Sequence, residues 1–176
     1  MASLRDALPA TIRTARLVLA TPTLDHVPQL ARLANNRRIY DALSRLPNPY
    51  GEADARFFVH TIARGSEEWA YSILLDGSFI GSIGLHLLPD QLPALGYWLG
   101  EPFWGHGYAT EAATALVAAT RSTGLTPALC ARALLSNAAS RNVLAKVGFI
   151  ETGEAIDEHG TQAGRRVATM RMDFER

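Results

Sequence analysis

Two stretches of this chain combine residue types and spacings that could do chemistry. The first is Trp104-Gly105-His106-Gly107-Tyr108-Ala109-Thr110-Glu111-Ala112. It follows an apolar run, Leu95-Gly96-Tyr97-Trp98-Leu99, and leads into a small-residue segment with helical spacing. A glycine turn that opens a helix after a strand presents several backbone N–H groups without intrahelical partners, and the helix dipole adds positive potential there. Phosphate suits such a turn. Gly105 and Gly107 fit that role, because a side chain would hold the backbone away from the ligand. The second stretch is Asn137-Ala138-Ala139-Ser140-Arg141-Asn142, continuing through Val143 and Leu144 to Gly148-Phe149. The Asn137 side chain can cap a helix, and Ser140, three residues on, shares its face. A well-capped helix with no chemistry attached has the same pattern, so this stretch alone decides nothing.

Composition limits what these residues can belong to. With 176 residues, 48% of them hydrophobic, the chain suits one domain with a real core, and we expect an N-terminal tail over 1–10 and a single domain over 11–176. Lys and Arg number 17 against 17 Asp and Glu, which argues against a general electrostatic grip on nucleic acid or on an anionic membrane. The single cysteine, Cys130, has no partner for an internal disulfide. No apolar run approaches the roughly 20 residues of a membrane span, and the first residues lack the apolar core of a signal peptide. A cytoplasmic protein is the expectation.

The elements that must position the two stretches read as alternating strands and helices. A strand is expected over 16–20, a helix to about 34, a short helix over 38–46 in a Pro/Asn-rich region, and a helix over 52–64. Strands over 68–75 and 78–88 flank Asp76-Gly77, a two-residue hairpin signal. In the second, Phe79, Gly81, Ile83, Leu85 and Leu87 are expected on one face and Ser82, Gly84 and His86 on the other. A strand over 92–99, a helix over 110–120, a strand over 128–135, a helix over 138–146, and strands over 149–155 and 165–174 complete the order. The result is an α/β domain of the mixed α+β kind, not a repeating doubly wound sheet.

Together, and in this order, an early Arg16-Leu17-Val18-Leu19 strand followed by Asp25, the Gly96-Tyr97-Trp98-Leu99 strand, the Trp-Gly-x-Gly-Tyr-Ala-Thr-Glu-Ala turn and the Asn-x-x-Ser helix ending in Gly-Phe resemble the GNAT superfamily of N-acetyltransferases. Within it the chain looks most like the RimJ/RimL branch, which modifies ribosomal protein N-termini. The resemblance covers nearly the whole chain. It implies the GNAT-like acyl-CoA N-acyltransferase fold, with a mostly antiparallel sheet flanked by helices, and acetyl-CoA as co-substrate with no metal. It also implies that the turn from Trp104 through Gly105, His106, Gly107, Tyr108 and Ala109 to Thr110 binds the pyrophosphate of coenzyme A. His106 stands where relatives often carry Lys or Arg, and either contacts a phosphate or faces solvent. The strand with Tyr97, Trp98 and Leu99 pairs with the pantetheine arm. Asn137 and Ser140 flank the thioester, and Lys146 is placed where relatives sometimes reach the adenosine phosphates.

The implied reaction is direct acetyl transfer to a primary amine. Many relatives use a tyrosine as general acid four residues after the Ser140 position; here that residue is Leu144, leaving Ser140 as donor to the departing sulfur. For the general base, His86, Tyr97 through a water, and Glu101 are the candidates. Freeing an α-amine of pKa about 7.7–8.0 at pH 7 costs about 1 kcal/mol, against roughly 4–5 kcal/mol for lysine at about 10.4. A site without a strong base therefore favours a protein or peptide N-terminus over lysine. A small-molecule amine, such as an antibiotic, polyamine or amino acid, is the alternative acceptor, and a non-catalytic acyl-CoA-binding module the alternative role. ATP or NAD binding is disfavoured, because a third fingerprint glycine and a Gly-Lys-Ser/Thr sequence are both missing. Asp41, Glu52, Glu101, Glu154, Asp157 and Glu158 are candidates to recognise a cationic amine. Homodimers occur in the resembled branch.

Overall fold

In the computed structural model of the chain, residues 3–158 and 160–174 are described. Eight strands form one sheet in the order β1-β2-β3-β4-β5-β6-β8-β7. They are β1 (Thr11–Arg13), β2 (Leu17–Ala20), β3 (Glu68–Leu75), β4 (Ser78–His86), β5 (Ala94–Leu99), β6 (Ala128–Leu134), β7 (Ile150–Ile156) and β8 (Arg166–Asp173). All neighbours are antiparallel except β5 and β6. A parallel pair requires a crossover, which here is α5 (Tyr108–Ser122). This is the mixed α/β fold that the sequence predicts.

Each face of the sheet has its own core. On one, α5 and α6 (Ala138–Val147) bury Ala112, Leu116 and Leu144 against Ile83, Leu85 and Leu129. On the other, α2 (Val27–Ala34) and α4 (Glu52–Phe57) bury Val27, Leu30 and Ala55 around Phe79. Period-2 alternation along β4 would put Phe79 with Ile83 and Leu85, as expected from the sequence. A bulge overturns this: Ile73 pairs with Gly81 but Leu74 with Phe79, so the extra residue, Ile80, reverses the alternation. Phe79 therefore points to the α2 side, tilted against Trp98 at 5.9 Å.

Other differences have local causes. The helix expected over 38–46 is only α3 (Arg37–Tyr40). Beyond it, the carbonyls of Tyr40, Asp41 and Leu43 all accept from the side-chain amide of Gln162, which is 3% exposed. The helix from Glu52 widens into a π-turn over Phe58–Ile62, with the Ala63 amide bonding to the Phe58 carbonyl. Within the stretch expected as a tail, α1 (Leu4–Ala7) forms, Leu8 is buried, and the Tyr71 hydroxyl donates to the Pro9 carbonyl at 2.7 Å; β1 follows at Thr11. No helix among the described residues is long and apolar enough to cross a membrane.

Gln162 ties the β7–β8 turn to the loop after α3, and Thr161 adds a backbone bond to the Ser44 carbonyl at 2.9 Å. Replacing Gln162 with alanine removes three hydrogen bonds, while the Tyr40, Asp41 and Leu43 carbonyls keep the Leu43 amide, the Arg165 guanidinium and the Thr161 hydroxyl as donors, so the net cost is about 0.5–1.5 kcal/mol. The expected result is faster hydrogen exchange at Thr161 with the helix protection of α5 retained, measured by exchange mass spectrometry.

Candidate functional site

The site begins where the sheet opens. Parallel strands β5 and β6 pair only at Ala94 with Cys130 and Leu95 with Ala131, then diverge. The Cys130 amide bonds to the Pro93 carbonyl, which fixes the odd-numbered residues of β5 as those facing β6. The backbone N–H and C=O of Tyr97 therefore face the gap without a strand to meet them. A cleft of about 1840 Å³ occupies this gap.

The glycine turn forms one rim of the cleft. Gly105 (φ 77°) and Gly107 (φ 79°) are left-handed, a conformation that costs other residues about 1–2 kcal/mol. Gly107 is the residue before α5, with no side chain capping the helix. The amides from Gly105 to Thr110 have no intramolecular acceptor among the described residues. Arg16, at the start of β2, holds the turn in place. Its guanidinium pairs with Glu111 at 2.7 Å, donates to the His106 carbonyl at 2.9 Å and lies 4.6 Å from the centre of the Tyr108 ring. Partial burial pushes the Glu111 carboxyl up, but the Thr14 hydroxyl, the Arg16 amide and the guanidinium outweigh it and hold it below its ordinary value. Trp104 braces the other side, donating its indole N–H to the Leu99 carbonyl at 2.8 Å. The side chain of His106 stacks on Tyr108 at 5.5 Å, and His106, unlike its neighbours in the turn, is not among the residues lining the cleft.

Deeper in the gap, the two faces of the sheet present different groups. On the α5/α6 side, the Tyr97 hydroxyl donates to Ser140 Oγ at 3.1 Å. Asn137 caps α6 by accepting from the Ser140 amide at 3.1 Å, which fixes the serine at the first turn. Burial raises the Tyr97 phenol above its usual value, and the Ser140 bond only partly opposes this. Tyr97 is thus a neutral donor at physiological pH, ill-suited to be a base. The Leu144 side chain, where relatives carry tyrosine, is 2% exposed in the core.

On the opposite face stands His86, in register with Glu68 on β3 and Ala94 on β5. Its Nδ1 lies 3.1 Å from Glu68 Oε2 and 3.5 Å from Arg45 Nη1. The nearer group is an acceptor-only carboxylate, which favours the proton on Nδ1 and leaves the Nε2 lone pair free. Nε2 points toward Gly96, where a Cβ would lie only 3.3 Å from it. Glu101, the third expected base, sits elsewhere. The Asn36 amide at 2.7 Å and the Arg38 guanidinium hold its carboxyl below the usual range, and it does not line the cleft.

The remaining predicted residues, Trp98, Leu99 and the exposed Lys146, all line the cleft. Sequence reasoning missed Glu68, Arg16 and Arg45. The hairpin pairing that puts Glu68 opposite His86 could have revealed the first; the strand motif contains Arg16 without disclosing its role, and no local pattern marks Arg45. Among the described residues, no group of three or more His, Cys, Asp or Glu is placed to hold a metal ion.

Residues 16–150 match the family model described as an acetyltransferase (GNAT) domain. The chain belongs to the GNAT family. A Bacillus subtilis (strain 168) protein named "Putative ribosomal N-acetyltransferase YdaF" is 39% identical over 90 residues, a match spanning 48% of each chain, about half the length of this relative. Among solved structures, the RimL ribosomal L7/L12 alpha-N-protein acetyltransferase in complex with coenzyme A superposes with a TM-score of 0.83 at 20% identity, covering 93% of this chain and 98% of that one. Mycobacterium smegmatis RimJ, in complex with a CoA disulfide, gives 0.83 at 20% identity over 94% and 88%. The microcin C7 self-immunity acetyltransferase MccE, in complex with acetyl-CoA and AMP, gives 0.83 at 18% over 95% and 98%. These likenesses establish a shared fold. In this GNAT chain, the unpaired amides and glycine backbone at the cleft rim, the open edge of β5 and the cleft-lining Lys146 fit a ligand made of a pyrophosphate and an amide-bearing arm.

Gly107→Ala is expected to strain the turn by about 1–2 kcal/mol and weaken acetyl-CoA binding, and Gly107→Trp to abolish it with the circular dichroism of the fold unchanged. Titration calorimetry reads both.

Proposed function

We propose that the protein is an acetyl-CoA-dependent N-acetyltransferase that transfers acetyl directly to a primary amine, with a peptide or protein N-terminal α-amine as acceptor. One observation carries this reading. A proton-donor pair and a histidine–carboxylate pair stand on opposite faces of the sheet beside the gap between β5 and β6, with backbone amides at the rim that have no partner among the described residues. A thioester threaded from the α5/α6 side reaches Tyr97 and Ser140; an amine entering from the other face reaches His86.

In this scheme the amine nitrogen attacks the acetyl carbonyl and His86 Nε2 takes the proton that nitrogen gives up. Glu68, through its contact with Nδ1, steadies the imidazolium that forms. As the tetrahedral intermediate collapses, the carbon–sulfur bond breaks and the Ser140 hydroxyl gives its proton to the sulfur. The Tyr97 hydroxyl, already donating to Ser140 Oγ, supplies the replacement. The turn from Trp104 to Thr110, with Lys146 nearby, holds the phosphates, and positioning supplies much of the acceleration. The α-amine preference is supported by the pKa arithmetic above and by the likeness to the RimL structure, which is named a ribosomal L7/L12 alpha-N-protein acetyltransferase. A small-molecule amine is the second reading, favoured by the breadth of the cleft and by the likeness to MccE.

Turnover with acetyl-CoA and a panel of N-terminal peptides, lysine side-chain peptides and small amines tests the proposal. Peptide α-amines are expected to give the highest kcat/KM; a lysine or small-molecule acceptor far above every peptide overturns that part. Ser140→Ala is expected to lower kcat by about 10²–10⁴-fold with little change in acetyl-CoA affinity.

The raised Tyr97 phenol fixes the alkaline behaviour. Because its proton leaves only above the ordinary tyrosine range, the wild-type kcat is expected not to fall through loss of that proton below about pH 10. A rate profile of wild type against Tyr97→Phe checks this, the variant being slower throughout and identical in alkaline shape up to that pH.

A further inference from the structure

The charges around the gap are unevenly matched. The acidic side chains that could greet a cationic acceptor are engaged by other groups: Glu52 by Arg56, Glu101 by Arg38, Glu154 by Arg166 and Asp41 by Arg37. None of Glu52, Glu101 and Glu154 lines the cleft. Arg45 and Arg132 do line it, and neither forms an ion pair among the described residues. Arg165, also in the lining, bonds only the neutral oxygens of the Asp41 carbonyl and the Gln162 amide. Asp157 and Glu158 contribute the opposing charge from the turn after β7.

Position gives two of these arginines a purpose. Arg45 is the cation beside His86. Arg132 is the first β6 residue beyond the last pair with β5, and its side chain lies on the His86 face, opposite Ala131 and Ala133, which pack toward α5 and α6. The register runs His86 to Ala94 to Cys130, so Arg132 stands two residues further along β6 toward the open end. Its charge reaches the Cys130 thiol, opposing the burial that raises it. Both side chains are exposed and have no carboxylate partner among the described residues, so an anion brought in by the acceptor would gain charge-assisted hydrogen bonds there.

We infer that the acceptor is a primary amine that also carries a carboxylate, held by Arg45 and Arg132 while the amine faces His86. The inference rests on the acetyl-transfer reading only for which end of the molecule reacts. An acidic side chain close behind a peptide N-terminus and a free amino acid both supply this chemistry. Arginine suits the task, because its planar fork meets a carboxylate with two parallel donors.

The test is calorimetric binding to the CoA-saturated protein of two matched pairs: Ser-Asp-Ala-amide against Ser-Asn-Ala-amide, and serine against serinamide. The carboxylate member of at least one pair is expected to bind about tenfold tighter or more. The pair that shows the gap identifies the source of the carboxylate. Arg45→Gln and Arg132→Gln are each expected to bring that ratio toward one, Arg132→Lys to keep most of it, and Arg132→Glu to shift preference toward Ser-Lys-Ala-amide. A ratio of one or less in both wild-type pairs, absence of binding in both, or a ratio unmoved by either glutamine variant overturns the inference. A preserved ratio without acetylated product from any acceptor overturns the acetyl-transfer reading and leaves the anion site standing.

Discussion

The structure depends on one feature of strand pairing: β5 and β6 run parallel, share two residue pairs and then separate. Parallel strands cannot be joined by a tight turn, so the chain must leave the sheet after β5 and return through a helix. That helix, α5, necessarily starts near the end of β5, beside the place where the strands part. The gap in the sheet and the positive end of a 15-residue helix therefore arise from the same connection. A crevice at the carboxyl ends of parallel strands is where α/β sheets generally bind ligands. Here the remainder of the sheet is antiparallel, so the crevice occurs once.

Keeping the gap open requires bracing on both sides. Trp104 ties the turn back to Leu99, and Arg38 stacks on its indole at 4.9 Å. Arg16 reaches across from β2 to Glu111 and to the His106 carbonyl. The Arg16–Glu111 pair is half-exposed on the arginine side, so its Coulomb energy is small. Its contribution is geometric: Glu111 accepts from Thr14, from the Arg16 amide and from the Arg16 guanidinium, three donors from one turn of chain. A glycine turn with free amides has few internal contacts to fix its shape, and this clamp fixes it from outside.

How far the sequence disclosed this arrangement depended on whether the determinant was local. The turn at Gly105 and Gly107, the Asn137 cap and the Asp76-Gly77 hairpin act within a few residues, and each appears where the pattern predicts it. The bulge at Ile80 is also local in place but not in cause, since it is defined by the partner strand, and the period-2 reading put Phe79 on the wrong face. Gln162 ties down the end of α3 from about 120 positions away by bonding the last carbonyl of the helix, at Tyr40, and two of the following loop, at Asp41 and Leu43, a tie that no window of sequence can contain. The same holds for the candidate site. Ser140, Tyr97 and His86 were visible as residue types in suggestive elements, whereas Glu68 and Arg45 acquire meaning only from what folding brings to Nδ1 of His86.

In the proposed scheme the sheet also separates two electrostatic tasks that would interfere if combined. The Tyr97 hydroxyl, proposed to resupply the proton that Ser140 gives to the sulfur, must stay protonated, and burial raises its phenol above the ordinary value. The histidine proposed to take a proton from the amine, His86, would carry a positive charge, and the Glu68 carboxylate 3.1 Å from its Nδ1 would stabilise that charge in a side chain that is 30% exposed. One pocket could not be both dry enough for the first and polar enough for the second. Placing the donor on the packed α5/α6 face and the histidine on the opposite, charged face gives each its own environment. In the proposed scheme both act on one reacting centre in the gap between β5 and β6.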